Sequence, residues 1–203
     1  MLTVSDREFE YLKLQRGDLD HLSHDFEQWL PAYRSALLQT LQNIKPYLPE
    51  KCNTLLDIGS GLGGIDILLN QHYREATGKK PEVYLLDGDS DVPERVIHNQ
   101  PFNNRVLALG FQYRHGVNAQ ALIPEFLGQT KVGEFDLVVS FAAWGFHIPV
   151  KDYLDYVMDH TNRDTAFIVD ARHSKGVEDF RKHFITQVIY RGKKCDRLSM
   201  RRR

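Results

Sequence analysis

A glycine-rich turn between an apolar strand pattern and an apolar helix pattern is the strongest chemical signal in this sequence. The segment is LLDIGSGLGG, from Leu55 to Gly64, and the helix pattern resumes at Ile65. Glycine tolerates backbone angles and close approaches that side chains forbid, and the N–H groups at the start of a helix attract polar ligands. We therefore predict a cradle for a nucleoside-bearing cofactor. Two spacings fit the turn: G-x-G-x-x-G, typical of dinucleotide sites, and D-x-G-x-G-x-G, formed by Asp57, Gly59, Gly61 and Gly63.

An acidic residue follows the second predicted strand. Val83–Leu86 is a short apolar run closed by Asp87, which therefore lies at the carboxyl end of a strand, where ligands of open α/β sheets bind. A carboxylate there can accept hydrogen bonds from both hydroxyls of a ribose. Asp87 thus supports a nucleoside ligand, although both cofactor classes use such an acid, and a plain turn residue before Gly88 is the alternative.

The remaining pattern predicts an α/β protein, with a helical N-terminal segment at residues 1–49 and an α/β core at residues 50–203. The N-terminal segment begins with an S-x-x-E capping box and carries an apolar helical periodicity that Pro31 interrupts. We expect it to pack on the core or to cover the substrate opening. In the core, strand–helix steps precede a terminal antiparallel hairpin. The predicted strands are Thr54–Ile58, Val83–Leu86, Phe111–Arg114, Glu134–Ser140, Ala166–Ala171, Thr186–Tyr190 and Arg197–Met200. After the third strand, Asn118 is predicted to cap a helix.

This order of elements, together with the D-x-G-x-G-x-G spacing and the FDLVVS strand, resembles the class I S-adenosylmethionine (SAM) dependent methyltransferases. The resemblance covers residues 50–203 and implies a three-layer, Rossmann-like fold with a mostly parallel seven-stranded sheet, whose antiparallel last strand lies beside the fifth. It also implies SAM as the cofactor, with the methionine end at the glycine turn, the ribose on Asp87 and the adenine on Asn118. The implied cofactor residues are Asp57, Gly59, Ser60, Gly61, Gly63, Asp87, Gly88, Val117, Asn118 and Ser140. The segments LLDGD, SFAAWGFHIP and VDAR are similar to sugar O-methyltransferases of bacterial and phage genomes.

The segment after the fourth predicted strand carries residues suited to an acceptor site. FAAWGFHIP contains Trp144, Phe146 and His147. A hydroxyl acceptor is a poor nucleophile until a base takes its proton, and the unperturbed imidazole pKa of about 6.5 suits that step. We predict His147 as this base, with Trp144 and Phe146 as apolar walls of the substrate site. The alternatives are core packing for Trp144 and a plain surface position for His147. Two more histidines also follow predicted strands, namely His115 and His173.

The same region disfavours other methyl-transfer chemistries. Enzymes that act on a nucleobase amine usually carry a Pro-Pro motif after strand four, and cytosine C5 enzymes need a Pro-Cys pair; neither is present here. A metal site would need several carboxylates at the ends of strands four and five, whereas strand four ends in Ser140, so we predict no metal. Asp170 and Arg172 are predicted to form an ion pair or to grip the substrate.

Composition limits the partners and the compartment. The formal net charge of −1 over 203 residues disfavours a nucleic-acid coat, although the C-terminus is rich in Lys and Arg. The two cysteines lack metal or disulfide spacing, no apolar run has transmembrane length, and the N-terminus is polar, which favours the cytoplasm and no membrane. We therefore predict a cytoplasmic SAM-dependent methyltransferase of a small, sugar-like molecule. An NAD-dependent oxidoreductase, a SAM-binding protein without transferase activity, and an RNA or protein acceptor are the alternatives, and the oligomeric state stays open.

Overall fold

The computed structural model describes residues 35–60, 63–86, 116–122, 127, 132–173 and 175–203. The helices in these ranges are α1 (residues 35–44), α2 (Gly64–Thr77), α3 (Val150–Asp159) and α4 (Lys175–His183), and a short 3₁₀ helix covers Lys45–Tyr47. The strands are β1 (Thr54–Ile58), β2 (Glu82–Leu86), β3 (Asn118–Leu122), β4 (Leu137–Ser140), β5 (Ala166–Arg172), β6 (Phe184–Arg191) and β7 (Cys195–Arg202).

The strands form one seven-stranded sheet in the order β3-β2-β1-β4-β5-β7-β6. The first five strands pair in parallel, and β7 inserts antiparallel between β5 and β6. Parallel neighbours need a long crossover connection, such as the helix between β1 and β2, whereas the short turn between β6 and β7 allows only a hairpin. The predicted α/β fold, with its antiparallel last strand beside the fifth, is therefore confirmed.

Both faces of the sheet are covered, because successive residues of a strand point to opposite sides. On one face, Leu55 of β1 belongs to an apolar cluster with Tyr73 of α2 and Ile44 of α1. On the other face, Leu56 belongs to a cluster with Phe180 of α4 and with apolar residues of α3. The result is three layers, with the carboxyl ends of β1, β2, β4 and β5 along one edge of the sheet.

Helix α2 lies between two glycines that have left-handed backbone angles. Gly63 precedes it with φ +69°, and Gly78 follows it with φ +73°. The N–H of Gly78 donates to the carbonyl of Arg74 at 3.0 Å, which completes the last turn. The helix ends at Thr77 because Gly78 adopts the left-handed conformation that terminates it.

The element predicted at Asn118 is wrong. Residues Asn118–Leu122 form β3, so Asn118 does not cap a helix. The sequence N-A-Q-A-L alternates polar and apolar residues, which suits a strand, and β3 pairs with β2 from Glu82 onward. The side chain of Gln120 adds a hydrogen bond to the carboxylate of Glu82. Three other predicted features lie outside the described residues, namely the strand Phe111–Arg114, the capping box of Ser5 and Glu8, and Pro31.

Candidate functional site

The glycine turn at the end of β1 packs against the loop that follows β4. Gly59 has φ +78°, and a Cβ built on it would lie closer than 3.0 Å to the Cβ of Ala143, a separation that real Cβ atoms essentially never show. The N–H of Gly59 donates to the carbonyl of Leu86 at 2.6 Å, which ties the turn to the end of β2. The turn therefore needs glycine for its backbone angle and for the close approach of the β4 loop.

The polar residues of the described part of the turn are enclosed. Asp57 is 2% exposed at the end of β1, on the sheet face that α2 covers. The Oγ of Ser60 is buried and has no hydrogen-bond partner among the residues that the structure describes. A buried hydroxyl of this kind calls for a partner, so the described part of the turn fits a polar ligand such as the methionine end of SAM. Three predicted cofactor residues lie outside the described ranges, namely Gly61, Asp87 and Gly88.

Ser140 joins the ends of β1 and β4. Its Oγ donates to the carbonyl of Ile58 at 2.6 Å and accepts the N–H of Trp144 at 2.9 Å. The side chain is 0% exposed, and the single proton of its hydroxyl is used within the protein. Ser140 therefore shapes the loop beside the site and has no hydroxyl proton left for the cofactor, and its predicted cofactor contact stays a prediction.

Trp144 belongs to the core, so its predicted role as a substrate wall is wrong. Its side chain is 0% exposed, and its Nε1 donates to the carbonyl of Val150 at 2.9 Å. Its ring packs edge-on against Phe180, with centroids 4.8 Å apart. The hydrogen bond from its backbone N–H to Ser140 turns the chain so that the indole lies beneath the loop. An enclosed indole with a satisfied N–H cannot stack on a sugar ring.

The same loop brings His147 to the surface. The carbonyl of Ala143 accepts hydrogen bonds from the N–H groups of Phe146, His147 and Ile148 at distances between 2.8 and 3.0 Å. His147 is exposed and Phe146 is half-buried, and their ring centroids are 4.6 Å apart. Because Ala143 also packs against Gly59, the structure places His147 and Phe146 on the loop that borders the glycine turn.

A cavity of about 210 Å³ opens beside His147. The residues that line it are Gly145, Phe146, His147, Ile148, Pro149, Val150, Arg172, Lys175, Gly176 and Asp179. The guanidinium of Arg172 lies 4.8 Å from the centroid of the Phe146 ring. The hydrogen bond from Lys182 lowers the pKa of Asp179, so this wall residue is a carboxylate at neutral pH. The cavity therefore combines an imidazole, an aromatic ring and charged groups at the carboxyl edge of the sheet.

Asp170 pairs with Arg197, so its predicted pairing with Arg172 is wrong. The two carboxylate oxygens of Asp170 accept from Nε and Nη2 of Arg197 at 2.7 and 2.9 Å. The residues lie opposite each other in β5 and β7 and are only 6% and 8% exposed. Arg197 also stacks over the ring of Phe141 at 4.9 Å. Asp170 is thus part of a buried pair, and sequence reasoning missed Arg197 because this contact depends on the cross-strand register.

Val117 and Asn118 lie at the opposite end of the strands from the glycine turn. The structure therefore does not bring these two predicted cofactor residues, of which Asn118 was predicted to contact adenine, to the turn. Asn118 stands beside Glu82, the first residue of β2, whereas Leu86 at the other end of β2 adjoins Gly59. The two ends of β2 are about 13 Å apart, at roughly 3.3 Å per residue. The prediction assumed that Asn118 follows a strand, and it begins one instead.

His173 follows β5, and its Nε2 lies 3.3 Å from a carboxylate oxygen of Asp196, while His115 lies outside the described residues. Within the described ranges, no group of three or more His, Cys, Asp or Glu side chains could hold a metal ion. In those same ranges, no helix has the length and apolar character that a membrane span requires.

A larger cavity, of about 560 Å³, lies at the amino edge of β5 and β6. Its lining comes from Pro46–Pro49, Arg163–Ala166, Ile185–Gln187 and Ser199–Arg201. It is therefore at the far end of the sheet from the glycine turn. Ligands of open α/β sheets bind at the carboxyl ends of the strands, so the smaller cavity beside His147 is the candidate site.

No protein-family model matches the sequence, and no curated protein is significantly similar to it. Among solved structures, the ribosomal protein L11 methylase from Lactobacillus delbrueckii subsp. bulgaricus is 16% identical, with a TM-score of 0.58 over 80% of this chain and 76% of that chain. A methyltransferase from Pyrococcus furiosus is 14% identical, with a TM-score of 0.56 over 81% of this chain and 82% of that chain. A mutant of MtNAS in complex with S-adenosylmethionine is 14% identical, with a TM-score of 0.56 over 96% of this chain and 71% of that chain. At these identities the similarity establishes a shared three-layer fold.

Proposed function

We propose that this protein is a SAM-dependent methyltransferase that acts on a hydroxyl group of a small, sugar-like molecule. The observation that carries the proposal is an exposed imidazole, His147, on the loop that packs against the glycine turn. The fold is shared with proteins described as methyltransferases, and one similar structure was solved with S-adenosylmethionine. These similarities support the cofactor and the reaction class, whereas the choice of a hydroxyl acceptor depends on His147.

The glycine turn is the proposed cradle of the cofactor. Gly59 and Gly63 supply left-handed backbone angles, and the buried Ser60 hydroxyl offers a hydrogen bond. The motif adds Asp57 and Gly61 at the turn, and the proposed ribose contacts are Asp87 and Gly88. When bound, SAM supplies a methyl group to the acceptor oxygen and leaves as S-adenosylhomocysteine. The protein contributes alignment of the acceptor and exclusion of water.

His147 is the proposed general base. Its imidazole accepts the proton that the hydroxyl loses as the oxygen is methylated, so it must be neutral when the substrate binds. The neighbouring Phe146 ring contacts the imidazole edge-to-face, and the Ala143 carbonyl accepts a hydrogen bond from the His147 backbone N–H. The rate should therefore rise with pH across the range in which an imidazole loses its proton.

Calorimetry tests the cofactor. We expect SAM and S-adenosylhomocysteine to bind and NAD not to bind. Gly61→Val should abolish SAM binding, because a branched side chain at this position obstructs the ligand or the backbone. Binding of NAD without binding of SAM would contradict the proposal and favour an oxidoreductase.

Transfer of a tritiated methyl group from SAM tests the acceptor class. The full chain is incubated with a cell extract, with a small-molecule filtrate of that extract, and with extract treated with nuclease or protease. We expect label in the filtrate reaction and no loss of label after nuclease or protease treatment. Label that requires intact RNA or protein would move the acceptor to that class, and SAM binding without any transfer would indicate a binding protein.

A pair of histidine variants tests the base. Under single-turnover conditions, His147→Ala should lower the rate about 10²–10⁴-fold and leave SAM affinity nearly unchanged. His173→Ala is the matched control, because His173 is also exposed and also follows a strand at the carboxyl edge. A His147→Ala variant with the wild-type rate and pH profile would remove His147 from the mechanism, and a selective loss in His173→Ala would assign the role to His173.

A further inference from the structure

We propose that the acceptor carries an anionic group, a phosphate or a carboxylate, and that Arg172 and Lys175 bind it in the cavity beside His147. This inference rests on the proposed function because it identifies the bound anion as part of the methyl acceptor. The anion site itself is argued from the structure alone. It would narrow the substrate class from small hydroxyl compounds to negatively charged ones.

Close backbone contacts build the cavity. The N–H of Arg172 donates to the carbonyl of Gly145 at 3.0 Å, which joins the end of β5 to the β4 loop. A Cβ built on Gly176 would lie closer than 3.0 Å to the same carbonyl oxygen. Gly145 itself has φ +79° and packs against Phe180. The two walls are therefore fixed by main-chain contacts, which position Arg172 and His147 on the same opening.

The charge on the cavity walls is unbalanced. Arg172, Lys175 and Asp179 are the acidic and strongly basic residues that line it, and Asp179 already pairs with Lys182 at 2.6 Å. Within the described ranges, no carboxylate lies at ion-pair distance from Arg172 or Lys175. Two acids close to the end of β5 are already paired. Asp170 pairs with Arg197, and Asp196, which lies opposite Ala171 in β7, pairs with His173. The opening therefore has an excess of positive charge.

The donors of Arg172 are available, unlike those of several other arginines. Arg202 donates to the carbonyls of Met158 and Thr161, and Arg203 donates to the carbonyl of Arg181, so these tail residues are held by the protein itself. The side chain of Arg172 stacks on Phe146 and makes no hydrogen bond within the described part of the chain. Stacking fixes the plane of a guanidinium and leaves its edges able to bind an oxyanion in a bidentate manner.

The size of the cavity favours a small ligand over a nucleic-acid chain. A volume of about 210 Å³ is below the roughly 300–1,000 Å³ of clefts that bury a drug-sized ligand. That space accepts a phosphate or carboxylate together with the first atoms that carry the hydroxyl. The formal net charge of −1 also lacks the overall basic character typical of nucleic-acid binding.

Anion titration of the full chain, with and without S-adenosylhomocysteine, tests the site. The probes are inorganic phosphate and acetate, with chloride as the ionic-strength control, and the readout is the NMR signal of the His147 imidazole, assigned with a His147→Gln variant. We expect a saturable shift with phosphate or acetate and none with chloride.

Arg172→Met and Lys175→Met should each weaken the affinity at least tenfold without lowering the melting temperature. The matched controls are Arg163→Met and Lys151→Met, which change exposed cations outside this cavity and should leave the affinity unchanged. A shift that does not saturate, or equal affinities in Arg172→Met and Arg163→Met, would overturn the anion site.

The tritium assay separates this inference from the proposed function. We expect the labelled product to bind an anion-exchange resin, and we expect Arg172→Met to raise the KM for the extracted acceptor more than it lowers kcat. A neutral labelled product with an unchanged KM would overturn the inference and leave the methyltransferase intact. Anion binding without any methyl transfer would refute the proposed function and retain the site. A product that nuclease destroys would overturn the small-molecule acceptor.

Discussion

Replacing Gly59 with alanine should destabilise the protein through two separable effects. The residue has φ +78°, and a side chain in the left-handed region costs about 1–2 kcal/mol. The added Cβ would also lie closer than 3.0 Å to the Cβ of Ala143, and overpacking of this kind costs about 1–3 kcal/mol. We therefore expect the free energy of unfolding to fall by about 2–5 kcal/mol, a large part of the roughly 5–15 kcal/mol that stabilises an ordinary domain.

Gly78 provides the matched control, because it has nearly the same backbone angle without the steric contact. Its φ is +73°, and a Cβ built on it meets nothing within 4 Å. Gly78→Ala should therefore lose only about 1–2 kcal/mol, which isolates the cost of the backbone angle. Adding Ala143→Gly to Gly59→Ala removes the clash but not the strain, so the double variant should recover about 1–3 kcal/mol relative to additivity.

Urea unfolding of the wild type, the three single variants and the double variant measures these energies. Calorimetry with SAM on the folded variants then reports whether the turn holds the cofactor. Equal losses in Gly59→Ala and Gly78→Ala, with no coupling between Gly59 and Ala143, would refute the steric reasoning. A Gly59→Ala variant that binds SAM with wild-type affinity would show that the shape of this turn does not control cofactor binding.

Three further predictions concern buried polar groups. Asp170→Asn leaves a buried Arg197 without a countercharge and should lower the free energy of unfolding in urea by about 3–5 kcal/mol. Asp179→Asn breaks an exposed pair and should leave the unfolding midpoint unchanged. Equal midpoints for the two variants would contradict this prediction. Ser140→Ala removes the hydrogen-bond partner of the Ile58 carbonyl and of the Trp144 N–H, and should lower the free energy of unfolding by about 1–3 kcal/mol. A wild-type unfolding midpoint would contradict the bridging role of the Ser140 hydroxyl. Tyr156→Phe should be neutral or stabilising at pH 7, because the hydroxyl is buried without a hydrogen-bond partner among the described residues. Burial, with a smaller effect from a neighbouring tyrosine, raises the pKa of Tyr156 to about 12. Because the unfolded chain ionises this group first, at the ordinary tyrosine pKa of about 10, the wild type should lose stability relative to Tyr156→Phe as the pH rises from about 10 toward 12. Parallel stability–pH curves for wild type and Tyr156→Phe above pH 10 would show that this group does not contribute.

The sequence was sufficient for the central sheet, because its signals there are local. β1, β2, β4 and β5 are short apolar runs, which is the pattern of strands buried on both faces, and all four were predicted within a few residues. The glycine turn and the terminal hairpin are also local signals, since they depend on backbone freedom and on loop length. From these elements the parallel core and a terminal antiparallel hairpin follow by the ordinary rules of chain connection, whereas the place of the last strand beside the fifth was implied by the family resemblance.

The mistakes arise where two local patterns compete. Asn118 is a good helix N-cap and also the first residue of an alternating segment, and pairing with β2 decides for the strand. Trp144 follows a strand end, where an aromatic residue can face either a ligand or the core. Its burial results from the hydrogen bond between Ser140 and its backbone N–H and from packing on Phe180, which no window of the sequence contains.

The residues of the candidate site also fall into those that local sequence predicts and those that depend on strand pairing. The sequence alone placed His147 and Phe146 after β4, because residues that follow a parallel strand lie at the carboxyl edge. The sequence alone could not identify the arginine that pairs with Asp170. Arg172 is close to it in the chain, but Arg197 lies opposite Asp170 in the register of β5 and β7. Side-chain partners depend on through-space distances, and strand pairing sets these distances. Because Arg197 pairs with Asp170, Arg172 instead lines the cavity beside His147, and only the tertiary structure decides this.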